Sequence, residues 1–323
     1  MLAACAVAAD SESPLNALRV GEIEPPEVPT DWVRVEVRAA ALNHHDVWSL
    51  RGVGLAADRL PMVLGCDAAG VTEDGREVIV HAVVNDPDYT GTDDTYDPRR
   101  SLLSERYPGT LAGYVRVPPR SLIEKPVELT FVEAACLPTA WLTAYRMLFT
   151  QSGTRPGDTV LIQGAGGGVA TAATALARSA GLRVWVTSRD EARGARALDL
   201  GAHQTFVSGA RLPERVDAVL DTVGAATWSH SVNALRPGGT LVLAGVTSGD
   251  QPARAELRKI FFRPLRVVGS TMGTRAELAA LTRLLVTTGI RPTIDRVVPL
   301  ARAEEGFAAM IDGQLFGKIV LEP

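Results

Sequence analysis

Cysteine is scarce in this sequence of 323 residues, which has only Cys5, Cys66 and Cys136. The number is odd, the spacing is wide and no CxxC pair occurs, so neither a disulfide framework nor a structural zinc knuckle is expected. A chain of this size without disulfides is typical of a reducing compartment, and we expect the cytoplasm.

The sequence also lacks long apolar runs and any excess of positive charge. No apolar stretch approaches the roughly 20 residues that span a bilayer. The opening MLAACAVAAD has no cationic region and soon reaches an acidic residue, so it is expected to be a first strand rather than a targeting segment. The formal net charge of −4 and the pI near 5.8 give no footprint for nucleic acid or an anionic membrane. A small-molecule partner is expected instead.

The first third of the chain has the pattern of a β-rich unit. The stretch 32-WVRVEVRAA-40 alternates apolar and polar residues, as a half-buried strand does. Short apolar runs follow at 76–84 and 113–119. The polar, turn-rich segment 85–109 between them is expected to be a long surface excursion.

From about residue 130 the pattern changes to strands and Ala-rich helices in alternation. Near-continuous apolar strands predict a parallel sheet that helices cover on both faces. The expected strands are 158–164, 182–188, 216–224, 239–246 and 265–270. The tail is expected to contain helices at 276–289, ending at a C-cap glycine, and at 303–313, followed by a strand at 317–322.

A glycine-rich turn joins the first of these strands to a helix, in 158-DTVLIQG-164 and 164-GAGGGVATAATALARSAG-181. Glycines there let the backbone approach a pyrophosphate, and the helix N-terminus offers free N–H groups and a favourable dipole. The alternative is a turn that only packs helix and strand closely, but the order of strand, turn, helix and strand favours a dinucleotide. The residues expected to contact it are Ala165, Gly166, Gly167, Gly168 and Val169.

The end of the second strand bears on which dinucleotide binds. An NAD site usually places an acidic residue there, whereas this chain has Ser188 and Arg189. A hydroxyl and a guanidinium suit a 2′-phosphate, and Arg193 adds a second cation, so NADP(H) is expected. The alternative is that Asp190 takes the ribose hydroxyls, although it stands where the helix over 191–201 needs an N-cap.

Five segments in order resemble the medium-chain dehydrogenase/reductase superfamily, and most closely its quinone oxidoreductase branch, over nearly the whole chain. They are 61-PMVLGCDAAGV-71, 137-LPTAWLTAY-145, the glycine turn, 198-LDLGA-202 and 317-GKIVL-321. The resemblance implies an α/β protein with a GroES-like β-rich catalytic domain and a Rossmann domain with a doubly wound parallel sheet. The expected boundaries are 1–126 with 273–323 for the first domain and 127–272 for the NADP-binding domain.

The resemblance also indicates that zinc is absent. The ligand positions of the superfamily's zinc enzymes fall on Asn43, Cys66 and Thr139, and only one of these binds zinc well, whereas a catalytic zinc needs three protein ligands. His44 and His45 are sequence neighbours and lack the i, i+4 spacing of a helical metal pair. We therefore expect no metal.

The branch implies NADPH-dependent reduction of a conjugated carbonyl or quinone. His45 stands at the proton-relay position and is expected either to protonate or stabilise the enolate, or only to pack while water supplies the proton. Asn43 is expected to hold the nicotinamide ribose or the substrate carbonyl, with a structural amide as the alternative. Trp48, Cys66 and Trp141 are candidates for the substrate pocket, although large aromatics are more often core and Cys66 is more simply a small buried residue.

Further cofactor contacts and a homodimer are implied by position alone. His44 corresponds to a pyrophosphate contact, and the strand 265–270 corresponds to the family's dimer edge. The remaining cofactor candidates are Thr143, Gly245, Val246, Ser270, Thr271, Met272, Phe316 and Lys318.

Two other functions stay open at this point. The same fold serves dedicated biosynthetic enoyl reductases or reductive cyclases that act on a large polycyclic or acyl substrate. It also serves NADPH-binding structural or RNA-associated proteins with little turnover, against which the acidic pI counts.

Overall fold

The computed structural model describes all 323 residues, which form eighteen strands and nine α-helices. The strands are β1 Leu2–Ala6, β2 Leu18–Glu22, β3 Val33–Ala41, β4 Met62–Val63, β5 Asp67–Thr72, β6 Glu77–Val80, β7 Val83–Val84, β8 Ser101–Leu102, β9 Tyr114–Val117, β10 Leu122–Glu124, β11 Thr159–Ile162, β12 Arg183–Ser188, β13 Gln204–Val207, β14 Val216–Asp221, β15 Leu235–Leu243, β16 Arg266–Gly269, β17 Ile294–Pro299 and β18 Lys318–Glu322. The helices are α1 His44–Leu50, α2 Phe131–Ala134, α3 Leu142–Tyr145, α4 Gly168–Ser179, α5 Glu191–Asp199, α6 Trp228–Ala234, α7 Leu257–Phe262, α8 Arg275–Thr288 and α9 Ala303–Ile311.

The chain divides into two units. Unit 1 consists of Met1–Ala140 and Gly273–Pro323, and unit 2 consists of Trp141–Met272. The sequence analysis placed the first boundary at 126/127, whereas the structure keeps 127–140 with unit 1. The reason is that α2, which lies in this segment, packs against β3 and β5 of the unit 1 sheet.

Unit 1 is the expected β-rich unit. Its largest sheet has seven strands in the order β10-β6-β5-β3-β18-β17, with β9 also pairing with β3. The pairs are antiparallel except for β17 with β18. A smaller sheet has the order β2-β1-β4, so the opening segment is a strand as predicted. The buried side chains Leu50, Leu64 and Phe307 pack α1 and α9 into the core of this unit.

The segment 85–109 is not wholly at the surface, as the sequence analysis expected. Asp97 and Leu103 are buried, and β8 pairs with β7. The Asp97 carboxylate accepts hydrogen bonds from the backbone N–H groups of Asp86 at 2.7 Å and Arg99 at 2.8 Å. Because carboxylates hold its turns together internally, the polar segment can pack against the unit.

Unit 2 is the expected doubly wound domain. Its six strands are all parallel, in the order β13-β12-β11-β14-β15-β16. The five strands predicted for this domain are present. β13 was not predicted because its sequence, QTFV, is short and only half-buried at the sheet edge, which leaves no continuous apolar run.

Two helices show how local sequence sets their ends. The hydroxyl of Thr274 accepts a hydrogen bond from the backbone N–H of Glu277 at 3.0 Å at the start of α8, and Gly289 ends it with a φ of 72°. The predicted C-cap is therefore confirmed, because glycine takes a left-handed conformation at no steric cost. With 14 residues, α8 is the longest helix, and none of the helices meets the length and apolarity that crossing a bilayer requires.

Candidate functional site

Asp46 fixes the start of α1 in unit 1. Its carboxylate is fully buried and accepts the backbone N–H of Asn43 at 2.8 Å and that of Gly65 at 3.0 Å. Burial raises the pKa of Asp46, while the neighbouring His45 and the hydrogen bond from Asn43 act in the opposite direction. The contact with Gly65 joins α1 to the turn between β4 and β5, so Asp46 anchors backbone rather than reaching a ligand.

Lys318 lies at the centre of a buried polar cluster in the same unit. Its side chain is 3% exposed, and its ammonium donates to Leu42 O at 2.7 Å, Asn43 Oδ1 at 2.6 Å and Asp67 Oδ2 at 3.1 Å. The preceding Gly317 has a φ of 105°, and a Cβ there would lie 2.2 Å from Thr293 O, so the turn into this position requires glycine.

This cluster corrects the prediction that Lys318 contacts the cofactor. All three N–H bonds of the ammonium are used inside unit 1, which leaves no donor for a phosphate. Phe316, predicted with it, is also buried, and its backbone N–H donates to Asp295 Oδ1 at 2.9 Å. Both residues serve the packing of the turn that leads into β18.

The three positions that correspond to zinc ligands carry a donor set that does not fit the metal. Asn43 Oδ1 already accepts from Lys318, and the Cys66 thiol donates to Leu103 O at 3.2 Å. Burial raises the pKa of Cys66 well above its ordinary value. Cys66 is the one of the three side chains that binds zinc well, whereas a catalytic zinc needs three protein ligands. Thr139 contributes only a hydroxyl, and no group of three or more His, Cys, Asp or Glu side chains is arranged to hold a metal ion.

His45 retains an unused polar atom in the interior of unit 1. The residue is partly buried, and its Nε2 is buried without a hydrogen-bond partner. Thr139 Oγ1 is likewise buried without a hydrogen-bond partner. Such groups are rare in proteins and are frequent where a ligand completes the hydrogen bonds. His44, its neighbour on α1, is exposed.

The candidates for the substrate pocket differ in how much surface they offer. Cys66 is fully buried and its thiol donates to Leu103 O, which corrects its assignment as a pocket wall, because it belongs to a packed interior. The Trp141 side chain is 1% exposed, but its Nε1 is buried without a hydrogen-bond partner, so Trp141 stays a candidate. Trp48 is partly exposed, and the guanidinium carbon of Arg51 lies 5.5 Å from the centre of its ring.

The glycine turn of unit 2 has the geometry that a dinucleotide needs. Gly164 has a φ of 86°, and α4 begins at Gly168 after the N-cap Gly167. Gly167 is exposed, with no atom within 4 Å of the place where a Cβ would be. Ala165 and Gly166 are buried before it, and Val169 is partly exposed in the first turn of the helix. Open space beside a helix N-terminus without acidic residues fits a diphosphate.

At the end of β12, local hydrogen bonds already use two of the polar groups that were predicted to choose the dinucleotide. The Ser188 hydroxyl donates to Asp190 O at 2.6 Å, so its one proton is used locally. The Asp190 carboxylate accepts Arg193 N at 3.0 Å as the N-cap of α5 and lies 3.2 Å from Arg193 Nε. The prediction that Asp190 caps this helix is confirmed. Arg189 is exposed and is the cation left available for a 2′-phosphate.

The remaining cofactor candidates of unit 2 follow the carboxyl ends of β15 and β16 or lie on α3. Since parallel strands end at one edge of the sheet, the residues after β15 and β16 lie at the same edge as the glycine turn. After β15, Gly245 is partly exposed and Val246 is 46% exposed. After β16, Ser270 has a buried Oγ without a hydrogen-bond partner, Thr271 is exposed, and Met272 is buried with a φ of 48°. Thr143 on α3 is buried.

A buried polar network in unit 2 was missed by the sequence analysis. It is built from Gln163, Thr187, Asp221 and Ser231, each of them 1% exposed or less. The signal was present, since three of these polar residues end or follow apolar strands: Gln163 follows β11, Thr187 lies near the end of β12 and Asp221 ends β14. Polar residues at the carboxyl ends of parallel strands are typical of functional edges.

Two family models match most of the chain. Residues 29–127 match the alcohol dehydrogenase GroES-like domain, and residues 168–287 match the zinc-binding dehydrogenase family.

Three similar proteins illustrate the activities found among relatives. A solved structure of an NAD-dependent alcohol dehydrogenase is 33% identical, with a TM-score of 0.90 and coverage of 100% of both chains. The acryloyl-coenzyme A reductase of Sulfurisphaera tokodaii is 27% identical over 96% of this chain and 98% of its own length. The structure of the 2-octenoyl-CoA carboxylase reductase CinF, in complex with NADP and 2-octenoyl-CoA, is 25% identical with a TM-score of 0.90, covering 99% of this chain and 87% of that one.

Proposed function

This chain belongs to the medium-chain dehydrogenase/reductase superfamily, and we propose that it is an NADPH-dependent reductase of conjugated carbonyl compounds that works without zinc. One observation carries the proposal: the positions that hold zinc in the superfamily's metalloenzymes carry an amide bound to Lys318, a single thiol and a hydroxyl. Oxidation of a simple alcohol would lose the Lewis acid that stabilises its alkoxide, whereas reduction of an activated double bond needs only hydrogen-bond donors and a proton.

The relatives support an activated double bond as the target. One carries the name of an acryloyl-CoA reductase and another is in complex with 2-octenoyl-CoA, and both names describe a double bond conjugated with a thioester carbonyl. An enone or enoyl thioester is therefore the proposed substrate class. A quinone, which the quinone oxidoreductase branch implies, presents the same conjugated acceptor and remains within the proposal.

Residues of unit 1 have the groups that the reduction requires. When bound, NADPH supplies the hydride that adds to the β-carbon of the substrate. The enolate oxygen that develops needs donors, and His45 Nε2 and Thr139 Oγ1 are buried polar atoms without partners. In our proposal the imidazolium form of His45 then gives its proton to the α-carbon, and the neutral ring that remains takes up a proton from solvent. Asn43 Oδ1 accepts from Lys318 and its Nδ2 donates one hydrogen to Ala41 O at 3.3 Å, so the second Nδ2 hydrogen is the donor left for ribose or substrate.

Residues of unit 2 would hold the cofactor. The N–H groups at Gly167 and Gly168 would face the diphosphate, and Arg189 would face the 2′-phosphate. The solved structure with 33% identity carries NAD in its name, and the test below therefore compares both dinucleotides. The occupied carboxylate of Asp190 supports NADP, because a helix cap has already taken the acidic group near the ribose.

The test is a spectrophotometric assay of NADPH and NADH consumption against 2-alkenals, cyclic enones, an enoyl thioester and benzoquinone. Alcohol oxidation with NADP⁺ and NAD⁺ is measured in parallel, and the purified protein is analysed for zinc. We expect turnover of at least one conjugated acceptor, a preference for NADPH, no zinc-dependent rate and less than 0.1 zinc per chain.

Each of the other outcomes contradicts a defined part of the proposal. Stoichiometric zinc with alcohol oxidation that a chelator abolishes would identify a metal-dependent alcohol dehydrogenase. Tight NADPH binding without turnover of any acceptor would favour the structural or RNA-associated alternative. Turnover confined to long acyl or polycyclic acceptors would favour a dedicated biosynthetic reductase or cyclase.

A further inference from the structure

A continuous line of hydrogen bonds lies beneath the glycine turn of unit 2. The backbone N–H of Gly164 donates to Thr187 Oγ1 at 3.0 Å, and the Thr187 hydroxyl donates to Gln163 Oε1 at 2.8 Å. On the other side of the amide, Gln163 Nε2 donates to Ser231 Oγ at 2.9 Å, and Ser231 donates to Asp221 Oδ2 at 2.6 Å. The line therefore links β11, β12, β14 and α6.

The Asp221 carboxylate fixes the direction of this line. It is fully buried and also accepts from the Thr227 hydroxyl at 2.7 Å and from the backbone N–H groups of Val223 at 2.8 Å and Gly224 at 3.1 Å. Because Ser231 has a single hydroxyl proton and donates it to this carboxylate, its oxygen accepts from Gln163. The Gln163 oxygen then faces Thr187, and the Thr187 hydroxyl is left to accept the N–H of Gly164.

His230 fixes the same orientation independently. One ring nitrogen lies 2.9 Å from the carbonyl oxygen of Ala210, which can only accept, so this nitrogen carries the proton. The other ring nitrogen must accept, and it lies 2.9 Å from Gln163 Nε2. Both N–H groups of the Gln163 side-chain amide are thus used. Exchanging the positions of its oxygen and nitrogen would break these hydrogen bonds.

Gly164, at the end of this line of hydrogen bonds, has a backbone that its neighbours restrict little. Gly164 has a φ of 86°, and nothing closer than 3.9 Å surrounds the place of its missing Cβ, so packing alone does not set its conformation. The hydrogen bond from its N–H to Thr187 Oγ1 holds that conformation. Gly164 directly precedes the segment 165–168 that leads into α4. Leaving this part-buried N–H without a partner would also cost free energy.

We propose that Thr187 and Gln163 are positioning residues for the cofactor, which set the backbone of Gly164 so that the N–H groups of the following turn face the diphosphate. The inference rests on the proposed binding of a nicotinamide dinucleotide at this turn. Neither side chain touches the cofactor; both act through the turn. The diphosphate is common to NADPH and NADH, so the effect does not depend on which of the two binds.

The test compares three isosteric or near-isosteric variants with the unchanged protein. Thr187→Val removes the hydroxyl, and Thr187→Ser keeps it. Thr159→Val is the matched control. Thr159 is also buried, but it lies at the start of β11, far from the glycine turn that follows this strand, and its hydroxyl accepts from Arg183 Nε at 2.8 Å. The dissociation constant of the preferred dinucleotide is measured by fluorescence titration, together with kcat at saturating cofactor and unfolding in urea.

We expect Thr187→Val to raise the dissociation constant about tenfold, the usual size for one buried hydrogen bond together with the group it leaves unpaired. Its kcat at saturating cofactor should stay within twofold of the unchanged protein, because the reacting groups are untouched. Thr187→Ser and Thr159→Val should bind within twofold of the unchanged protein. If Thr187→Val does not fold, Gln163→Met, of similar length, takes its place in the comparison.

Three results would overturn the positioning role: normal affinity in Thr187→Val, equal losses in Thr187→Ser, or an equal loss in Thr159→Val. Failure of the cofactor binding on which the inference rests looks different, since the unchanged protein would then bind neither NADPH nor NADH, and failure of the proposed reaction would leave the binding measurements unaffected.

Discussion

The Lys318 ammonium donates a hydrogen bond of 2.6 Å to Asn43 Oδ1, although 275 residues separate the two in the chain. The same ammonium neutralises Asp67, which is fully buried. A cation from the last strand of unit 1 therefore holds the residue that precedes its first helix.

Replacing Lys318 with methionine should destabilise the protein strongly. The variant leaves the Asp67 carboxylate buried and uncompensated, and removing one partner of a buried ion pair costs about 3–5 kcal/mol of unfolding free energy. Urea unfolding followed by circular dichroism measures the loss. The control is Lys259→Met, whose ion pair with Glu256 is 41% exposed on the lysine side and should contribute below about 1 kcal/mol. Equal losses in both variants would contradict the assigned role.

The three cysteines should be unreactive in the native protein at pH 8. Burial raises the pKa of Cys136 to about 12, and burial also raises the pKa values of Cys66 and Cys5. Ellman's reagent should therefore label no thiol in buffer and three thiols in urea, since the thiolate is the reacting species. Rapid labelling of one native thiol would contradict the burial of that residue.

The same pKa shifts predict how stability depends on alkaline pH. An unfolded thiol ionises near about pH 8.5, whereas the folded pKa is higher, so the folded state keeps protons that the unfolded state loses. The stability that the thiols contribute is complete below that pH and is lost as pH rises through the folded pKa. Urea unfolding at pH 7.5 and pH 10 should show this loss, and Cys66→Ala should reduce it.

Replacing His45 with glutamine should lower kcat by about 10²-fold, because a positioned proton donor contributes about that factor. The KM for NADPH should change less than threefold. His44→Gln is the matched control on the same helix and should raise the KM for NADPH while leaving kcat almost unchanged. An unchanged kcat in His45→Gln would assign protonation to water and leave His45 as a packing residue.

Replacing Arg189 with alanine should raise the KM for NADPH by about 10- to 100-fold, since a hydrogen bond to a charged group contributes about 1.5–3 kcal/mol. The KM for NADH should stay within twofold. Ser188→Ala should have a smaller effect on NADPH, because its hydroxyl proton is used on Asp190 O. Equal losses for the two dinucleotides in Arg189→Ala would contradict the assignment of the 2′-phosphate.

The edge of the unit 2 sheet should form a homodimer. β16 is an edge strand with Val267 41% exposed, and Phe261 and Phe262 on α7 are each 66% exposed with ring centres 4.5 Å apart. Apolar side chains beside an open strand edge are typical of an interface between copies. Light scattering after size exclusion should give a dimer for the unchanged chain and a monomer for Phe261→Ser/Phe262→Ser. Val127→Ser, at an exposed site in unit 1, is the control. A monomeric unchanged chain would contradict the prediction.

Local pattern was enough to predict most of the fold. The buried strands of unit 2, the glycine turn and the cap at Asp190 all follow from residues that lie within a few positions of each other. β13 was missed because its four residues are not continuously apolar, and the boundary after residue 126 was misplaced because α2 packs on β3 and β5, far from it in sequence.

The candidate site was predicted less completely, since side-chain partners are chosen by tertiary contacts. Lys318 follows a glycine at the start of a strand, which in sequence resembles a surface turn, and nothing local shows that Asn43 and Asp67 will receive its charge. The line from Gly164 to Asp221 is likewise assembled from three strands and a helix. Polar residues at strand ends are a sequence signal for a functional edge that was missed, and only the structure shows which of them meet.

The position of β18 has a consequence for how the protein is made. Unit 2 is one continuous segment, whereas the seven-stranded sheet of unit 1 needs β18 between β3 and β17. A growing chain emerges from the ribosome at about 5–20 residues per second, so unit 2 can fold while 273–323 is still being translated. Until then β3 has an open edge and Asp67 has no counterion. Chaperones that bind nascent chains should therefore associate with the first 140 residues long after translation has passed them.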